Sequence, residues 1–461
     1  MPRDQLDSPV SQKWKRSAYI HSVCVDGVWL LFNLMSQQEV YASDEDIGLY
    51  TDILSDPNDS DLRQRNQEIF EELVRKKFLL SDEFDELRAL STNFKKKKAA
   101  DGHLGLGIVL THDCNFRCGY CYQKHEDISL SDEDISRIKR FYLAQLDNRE
   151  VKRVRITWWG GEPLMKRGAI YDLSKFFIHE CSNRGIAYSA YTSTNGALLS
   201  VDVARKLKEC QLNSYHITID GPQKWHDVQR PNRGGGGTYK KVLGALKSLL
   251  CAYGEVSNLV VLRVNLSPYM LEDIIEWDTL VSDLSPFKSI LRLNLSYIEE
   301  SELGVAPDWS VQEFAEARDR VYSKFIESGF LIQNYDLSSG GFRSPGGLFC
   351  GAIHENNWMI MPDGRVSKCV VELHKPSHDS ATLTDSGVLE MTSFGEAWRD
   401  YDPTENTLCA TCDVLPVCMG GCKMLPLHDQ SGSRCAIKAT MQGNLITRME
   451  TLISKTATEE C

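Results

Sequence analysis

From Asp101 to about Pro345, apolar runs of strand length alternate with stretches whose apolar residues return every three or four positions. That rhythm predicts a parallel α/β sheet. Six runs read as strands: Leu104–Leu110, Val154–Trp159, Ile186–Thr192, Tyr215–Ile219, Leu259–Leu266 and Ile290–Tyr297. Helical spacing fills the intervals, and Ser131 with Asp134 forms a capping signal ahead of Ile135, Ile138, Tyr142 and Leu146. Before residue 100 the pattern differs. Tyr19–Cys24 and Val28–Leu34 flank Asp26-Gly27, a dipeptide of tight hairpins. Ser43 with Asp46 offers the start of a helix, and Ile69, Leu73 and Val74 give a second helix its apolar stripe. The Lys-rich stretch STNFKKKKAADGH reads as a solvated linker. The expected division is 1–98 as a small α+β domain with linker, 99–345 as the α/β region, and 346–461 as a cysteine-rich third domain.

Composition narrows the chemistry. The 461 residues hold 15 cysteines and a formal charge of −12, from 52 basic and 64 acidic residues. That balance argues against nucleic acid as main partner. No apolar run approaches the ~20 residues of a membrane span. The charged start, MPRDQLDSPVSQKWKR, lacks a secretory core, so a cytoplasmic address is expected, where cysteines serve as metal ligands before disulfides.

The first strand runs into a loop with Cys114, Cys118 and Cys121, spaced C-x3-C-x2-C. Three thiolates on one loop can hold three corners of an iron–sulfur cube and leave one iron open. A structural zinc site is the plainer alternative, but it favours paired C-x2-C units that close four ligands. Later strand ends carry polar, glycine-containing turns: Gly160-Gly161-Glu162-Pro163, Ser193-Thr194-Asn195-Gly196 and Thr218-Ile219-Asp220-Gly221-Pro222. In parallel α/β folds, ligands bind at such ends. Arg263, read as a buried cation on a strand, asks for an anionic partner. Gly234–Gly237 reads as a flexible loop, and Cys181, Cys210 and Cys251 as buried thiols in helices.

CNFRCGYC, with Tyr120 directly before the third cysteine, resembles the signature loop of the radical S-adenosylmethionine (SAM) enzymes. The resemblance implies a partial (β/α)6 barrel. It also implies a 4Fe–4S cluster whose open iron chelates SAM and whose electron releases a 5′-deoxyadenosyl radical. It further implies cofactor contacts by Tyr120, Gly160, Gly161, Glu162 (to the SAM ammonium), Pro163, Thr194, Asn195, Thr218 and Arg263.

The last 112 residues resemble, position for position, the seven-cysteine SPASM extension found on a branch of that family. Cys350, then Gly364 and Cys369, precede Cys409-x2-Cys412-x5-Cys418-x3-Cys422 and a final Cys435. Carried over, Cys409, Cys412, Cys418 and Cys435 ligate an outer auxiliary cluster, and Cys350, Cys369 and Cys422 an inner one, for three 4Fe–4S clusters in all. Zinc-ribbon spacing is the alternative. Sulfatase-maturing relatives place an Asp after the second array cysteine, where this chain has Val370, and an extra cysteine where it has RSPGGLF. Candidates for a base nearby are His354, Asp363 and Glu372, each read as a surface residue.

The order of elements before the barrel resembles the RiPP recognition element, a winged-helix-like fold that binds the leader of a ribosomally made precursor peptide. The expectation is therefore a radical SAM peptide maturase forming a crosslink (carbon–carbon, ether or thioether), reduced by a flavodoxin or ferredoxin. A sulfatase-maturase-like enzyme is the alternative, and a non-catalytic iron–sulfur carrier a third.

Overall fold

Each of the six apolar runs forms a strand, and successive strands pair in parallel. The computed structural model describes residues 12–99, 102–267, 270, 274–297, 311–332, 344–424, 449 and 453. Two compact units are present. One comprises Met1–Ala99, Asp336–Gly351 and Tyr401–Cys461, the other Ala100–Tyr335 and Ala352–Asp400.

The first unit opens with β1 (Trp14–Arg16) and an antiparallel sheet of β2 (Ile20–Val25), β3 (Val28–Asn33) and β4 (Gln38–Ser43). The expected hairpin turn forms, with Asp26 and Gly27 both at positive φ, 51° and 79°. Helices α1 (Ile47–Ser55), α2 (Ser60–Arg65) and α3 (Gln67–Arg75) follow, then β5 (Leu79–Ser81), which pairs with β1. Leu31, Val40, Ile53, Leu73 and Phe78 form the core. Ser43 and Asp46 bond reciprocally (Ser43 Oγ to Asp46 Oδ2 2.7 Å, Asp46 N to Ser43 Oγ 3.1 Å). They close a turn ahead of α1, which begins at Ile47.

The expected linker is instead helix α4 (Glu86–Ala99). Leu90 and Phe94 lie four apart and are fully buried, so the apolar stripe continues beneath the lysines. Lys98 is itself buried, its Nζ donating to the Tyr401 carbonyl at 2.7 Å, and Lys95 pairs with Asp402 at 3.1 Å. A lysine run reads as solvated only while its partners, some 300 residues away, are unseen.

In the second unit, β6 (His103–Val109), α5 (Asp132–Asn148), β7 (Arg153–Trp159), α6 (Arg167–Asn183), β8 (Ala187–Thr194), α7 (Val201–Glu209) and β9 (Leu212–Thr218) alternate. Then come α8 (Gln223–Gln229), α9 (Tyr239–Tyr253), β10 (Val260–Leu266), α10 (Glu276–Leu284), β11 (Leu291–Tyr297) and α11 (Val311–Glu327). The predicted capping box of α5 forms, with Asp134 N donating to Ser131 Oγ at 3.1 Å and Ser131 N to Asp134 Oδ2 at 3.0 Å. One sheet face buries Ile156, Trp158, Ile217, Leu262, Val264 and Leu293 in a core shared with Phe141, Phe177, Leu246 and Phe325 of the helices. The opposite face carries Arg155, Tyr191, His216 and Arg263, which makes it the lumen side.

The sheet exceeds the six expected strands. Two-residue β12 (Leu331–Ile332) extends it beyond β11. At the other edge β13 (Asn357–Ile360) pairs in parallel with β6, and β14 (Arg365–Ser367), β15 (Ala381–Leu383) and β16 (Leu389–Met391) follow antiparallel, before α12 (Ser393–Arg399). β13 fits because β6 has glycine at 105 and 107; a Cβ at either would collide with Asn357 or Met359. Back in the first unit lie α13 (Thr407–Ala410) and α14 (Leu415–Cys418). Among the described residues no helix is long and apolar enough to cross a membrane.

Candidate active site

Past β6 the chain enters the three-thiol loop, held from two sides. Gly161 N donates to the Thr111 carbonyl at 2.9 Å and Glu162 N to that of Asp113 at 3.0 Å. Gly160 has φ 142°, and a Cβ on Gly160 or Gly161 would collide with the Thr111 or Asp113 carbonyl. These glycines therefore let two backbones meet, where the sequence suggested room for a ligand. Pro163, buried, opens the short 3-10 turn that follows. On the other side Arg117 N donates to Pro231 O (2.8 Å), Gly119 N to Gln229 O (3.0 Å), and Arg233 N to Asn115 O (2.9 Å). The Gly234–Gly237 loop next to this segment is turned by Asn232, whose Oδ1 accepts from Gly234 N at 2.7 Å.

Cys114 is buried, and Cys118 and Cys121 are half-buried. Burial first, and the nearby Glu162 and sister thiols after it, push the Cys114 thiol up to about 12. Burial likewise pushes Cys118 up to about 11 and raises Cys121. Such thiols stay protonated at neutral pH until a metal displaces the proton. Among the described residues no three His, Cys, Asp or Glu side chains close around a single ion. Three thiols on one short loop are the donor set of a cube in which each takes a different iron and one iron stays open.

Two buried carboxylates brace the strand ends around this loop. Glu162, fully buried, accepts from Thr194 Oγ1 (2.7 Å) and Leu164 N (2.9 Å) at Oε1, and from Asn195 N (2.8 Å) at Oε2. Asn195 Nδ2 donates to Asn115 Oδ1 at 2.7 Å and lies 3.7 Å from Cys114 Sγ, tying this bracket to the thiol loop. Burial raises the Glu162 pKa; its three donors, and last the field of Arg230, pull it back. No ion pair reaches Glu162 among the described residues.

Asp220, equally buried, accepts at Oδ1 from Asn265 N (2.9 Å) and Asn265 Nδ2 (3.1 Å), and at Oδ2 from the Tyr120 hydroxyl. Arg230 Nη1 donates to Tyr120 Oη at 2.6 Å and lies 3.8 Å from Asp220 Oδ2. Burial raises the Asp220 pKa, with Arg230 foremost against it. Against the cost of burial, the fields of Cys118, Tyr120 and Asp220 hold the Arg230 guanidinium well above its ordinary range. Its Nε is buried without a hydrogen-bond partner. Sequence reasoning missed Arg230, which ends a short helix with no motif around it, and gave Asp220 no role of its own.

Structure thus joins Tyr120, Gly160, Gly161, Glu162, Thr194 and Asn195 to the thiol loop. Thr218 and Arg263 are register partners on the lumen face; Arg263 reaches the Asp220 bracket through Asn265, and Thr218 bonds to neither carboxylate among the described residues. Arg263 was expected to be buried; it is exposed, because it stands on the sheet face opposite the one that packs on the helices, and its Nε donates to Asn265 Oδ1 at 2.7 Å. His354 and Glu372, expected at the surface, are buried, His354 against His103 (5.0 Å between rings) and Glu372 bonded to His378 at 2.7 Å. Asp363 is exposed as expected. Cys181 and Cys210 are buried, but Cys251 is exposed on the outer side of α9.

Cys369 lies near the thiol loop. Burial pushes the Tyr122 phenol up to about 12, and the fields of Cys121, Arg263 and Cys369 also meet there. In the first unit, burial and then the fields of Cys409, Cys418, Asp402 and Cys422 raise the Tyr401 phenol. Met419, Gly420 and Gly421, all at positive φ (43°, 77°, 64°), fold the chain back between Cys418 and Cys422. Cys412 faces Asp413, and Cys350 is exposed. Cys435 lies outside the described residues.

Residues 108–277 match the Radical SAM superfamily. The chain carries a radical SAM domain. It is 24% identical over 345 residues to the serine-type anaerobic sulfatase-maturating enzyme of Bacteroides thetaiotaomicron, covering 67% of this chain and 80% of that one. Its fold is similar to native anSMEcpe with bound AdoMet and Cp18Cys peptide, at TM-score 0.57 and 17% identity over 78% of this chain and 100% of that one. It is also similar to Streptococcus suis SuiB bound to the precursor peptide SuiA, at TM-score 0.50 and 16% identity over 89% and 95%. The radical SAM domain implies a 4Fe–4S cluster and SAM, for which Cys114, Cys118 and Cys121 are the fitting donors.

Proposed function

We propose that this chain is a cytoplasmic radical SAM maturase of a ribosomally made peptide. One observation carries the reading. The thiol loop is tied through Asn195 to Glu162, a buried carboxylate with no cation paired to it, while Arg230 beside Cys118 keeps a buried Nε free. An anion and a cation set beside three thiols match the α-ammonium and α-carboxylate of SAM. Glu162 takes the ammonium and Arg230 the carboxylate, each by a charge-assisted hydrogen bond. Thr218 and Arg263, on the lumen face below, are further proposed contacts. When bound, cluster and SAM supply a 5′-deoxyadenosyl radical that takes hydrogen from the substrate. Tyr120, Asp220 and Asn265 hold Arg230 in place and keep water from its head.

Cys409, Cys412, Cys418 and Cys435 are the proposed ligands of one auxiliary cluster in a SPASM-like extension, and Cys350, Cys369 and Cys422 those of another. Cys409 and Cys418 of the first group both act on the Tyr401 phenol, as does Cys422 of the second. The likeness to SuiB with a precursor peptide bound supports a peptide substrate. The β2–β4 sheet with α1–α3 is the proposed leader-binding element, taking the leader as an added strand at a sheet edge. A crosslink is the proposed product, and a flavodoxin or ferredoxin the reductant.

Anaerobically reconstituted, reduced enzyme is expected to convert SAM to 5′-deoxyadenosine and methionine; S-adenosylhomocysteine as main product would replace the radical reading with methyl transfer. The Bacteroides relative supports a second reading, sulfatase maturation. Val370, where such enzymes carry an Asp, weighs against it. Formylglycine on a sulfatase-derived peptide would decide for it.

A further inference from the structure

Besides Arg263, a proposed SAM contact, the lumen face carries Arg155 and Arg292, to which the proposed SAM contacts give no role. The Arg155 guanidinium lies 4.7 Å from the centroid of the Tyr191 ring, and the Tyr191 and His216 rings are 5.7 Å apart at 43°. Burial first, and then Arg263 and Arg155, lower the His216 pKa, so both guanidinia face one neutral imidazole. Arg292 stands on the same face, since His216 neighbours Val261 and Val261 neighbours Arg292 in register. Its Nε is buried without a hydrogen-bond partner. Among the described residues none of Arg155, Arg263 and Arg292 forms an ion pair, in a chain whose net charge is −12.

This wall is separate from the strand-end brackets. Tyr191 precedes Thr194 by three residues and His216 precedes Asp220 by four, which at about 3.3 Å per residue is roughly 10–13 Å deeper along the strands. A guanidinium resting on an aromatic face keeps its edge N–H groups free for a planar, two-oxygen anion. A neutral imidazole beside it can donate a further hydrogen bond.

We infer that the Arg155–Tyr191–His216 wall, with Arg292 beside it, is a carboxylate receptor that holds an Asp or Glu side chain of the peptide substrate in the lumen. The inference rests on the peptide-maturase reading and deepens it: the modified segment carries an acidic residue, and the wall sets its register beneath the SAM site.

The probes are the peptides acetyl-Gly-Gly-Glu-Gly-Gly-amide and acetyl-Gly-Gly-Gln-Gly-Gly-amide, titrated into reconstituted full-length enzyme saturated with SAM at low ionic strength. The Glu peptide is expected to bind about tenfold more tightly, the usual scale of one charge-assisted hydrogen bond. Arg155→Gln, a change at an exposed position, is expected to reduce that preference at least about fivefold, as is Arg292→Gln. Equal affinity for the two peptides, binding of neither, or a preference that survives both substitutions overturns the receptor. Cleavage of SAM without peptide is read in parallel. If 5′-deoxyadenosine is absent while the Glu preference holds, the radical reading fails and the receptor stands.

Discussion

Glu162 and Asp220 occupy equivalent places, each wholly buried in the turn after a parallel strand and each accepting three or more hydrogen bonds. They differ in what balances their charge. Asp220 shares Tyr120 with Arg230 and lies 3.8 Å from that guanidinium. Glu162 has only neutral donors: a hydroxyl and two backbone N–H groups. An ionised carboxylate buried without a cation is costly unless a ligand brings one. Asp220 thus belongs to the scaffold, and Glu162, on the proposed reading, to the bound state.

The largest effect should come from the loop that both carboxylates surround. Replacing Cys114, Cys118 and Cys121 together by Ala is expected to abolish 5′-deoxyadenosine formation and remove about four irons. Iron analysis and EPR check this, and the proposed auxiliary clusters should remain visible. Unchanged iron content would place the cluster elsewhere and dissolve the comparison.

Next come the carboxylates themselves. Asp220→Asn leaves Arg230 buried beside neutral partners and should cost about 3–5 kcal/mol of stability. Glu162→Gln strands no cation, so its cost should be smaller, on the order of 1–2 kcal/mol for weakened hydrogen bonds. Denaturant unfolding of the two variants sharpens the contrast; equal losses would erase it.

Gly160→Ala tests how the Glu162 bracket reaches the thiol loop. A left-handed φ of 142° and a collision with the Thr111 carbonyl should cost on the order of 1–3 kcal/mol. Thermal melts and iron incorporation would both fall. A silent substitution would mean that the two backbones need not meet closely.

How much of this was legible in the sequence depended on whether the signal was local. All six strands and the α5 capping box were, because alternation and capping are written within a few residues. The thiol loop and the glycine turns were legible as motifs. Helix α4 was misread because its lysines find Asp402 and the Tyr401 carbonyl only in the fold. The short strands β13–β16 carry too few residues to show a period, and pairing with β6 from 250 positions away leaves no local trace. Arg230 escaped for the same reason: burial beside Cys118 and Asp220, not spacing, makes it notable.

The smallest effect concerns pH. Burial, then His103 and Lys368, lower His354 to about 4 from 6.5. The unfolded chain therefore binds a proton that the folded one refuses between those values. Stability from this group is complete above about pH 6.5 and falls as pH drops toward 4. Melting temperatures measured across that window should fall less steeply in His354→Phe than in wild type.

The central claim, that Glu162 is the receptor for the SAM ammonium, is tested most directly by calorimetric titration of SAM into wild-type and Glu162→Gln enzyme, both fully loaded with iron. Losing a charge-assisted contact of about 1.5–3 kcal/mol predicts SAM binding weaker by roughly 10- to 150-fold in the variant. Equal affinity in the two proteins would contradict the account.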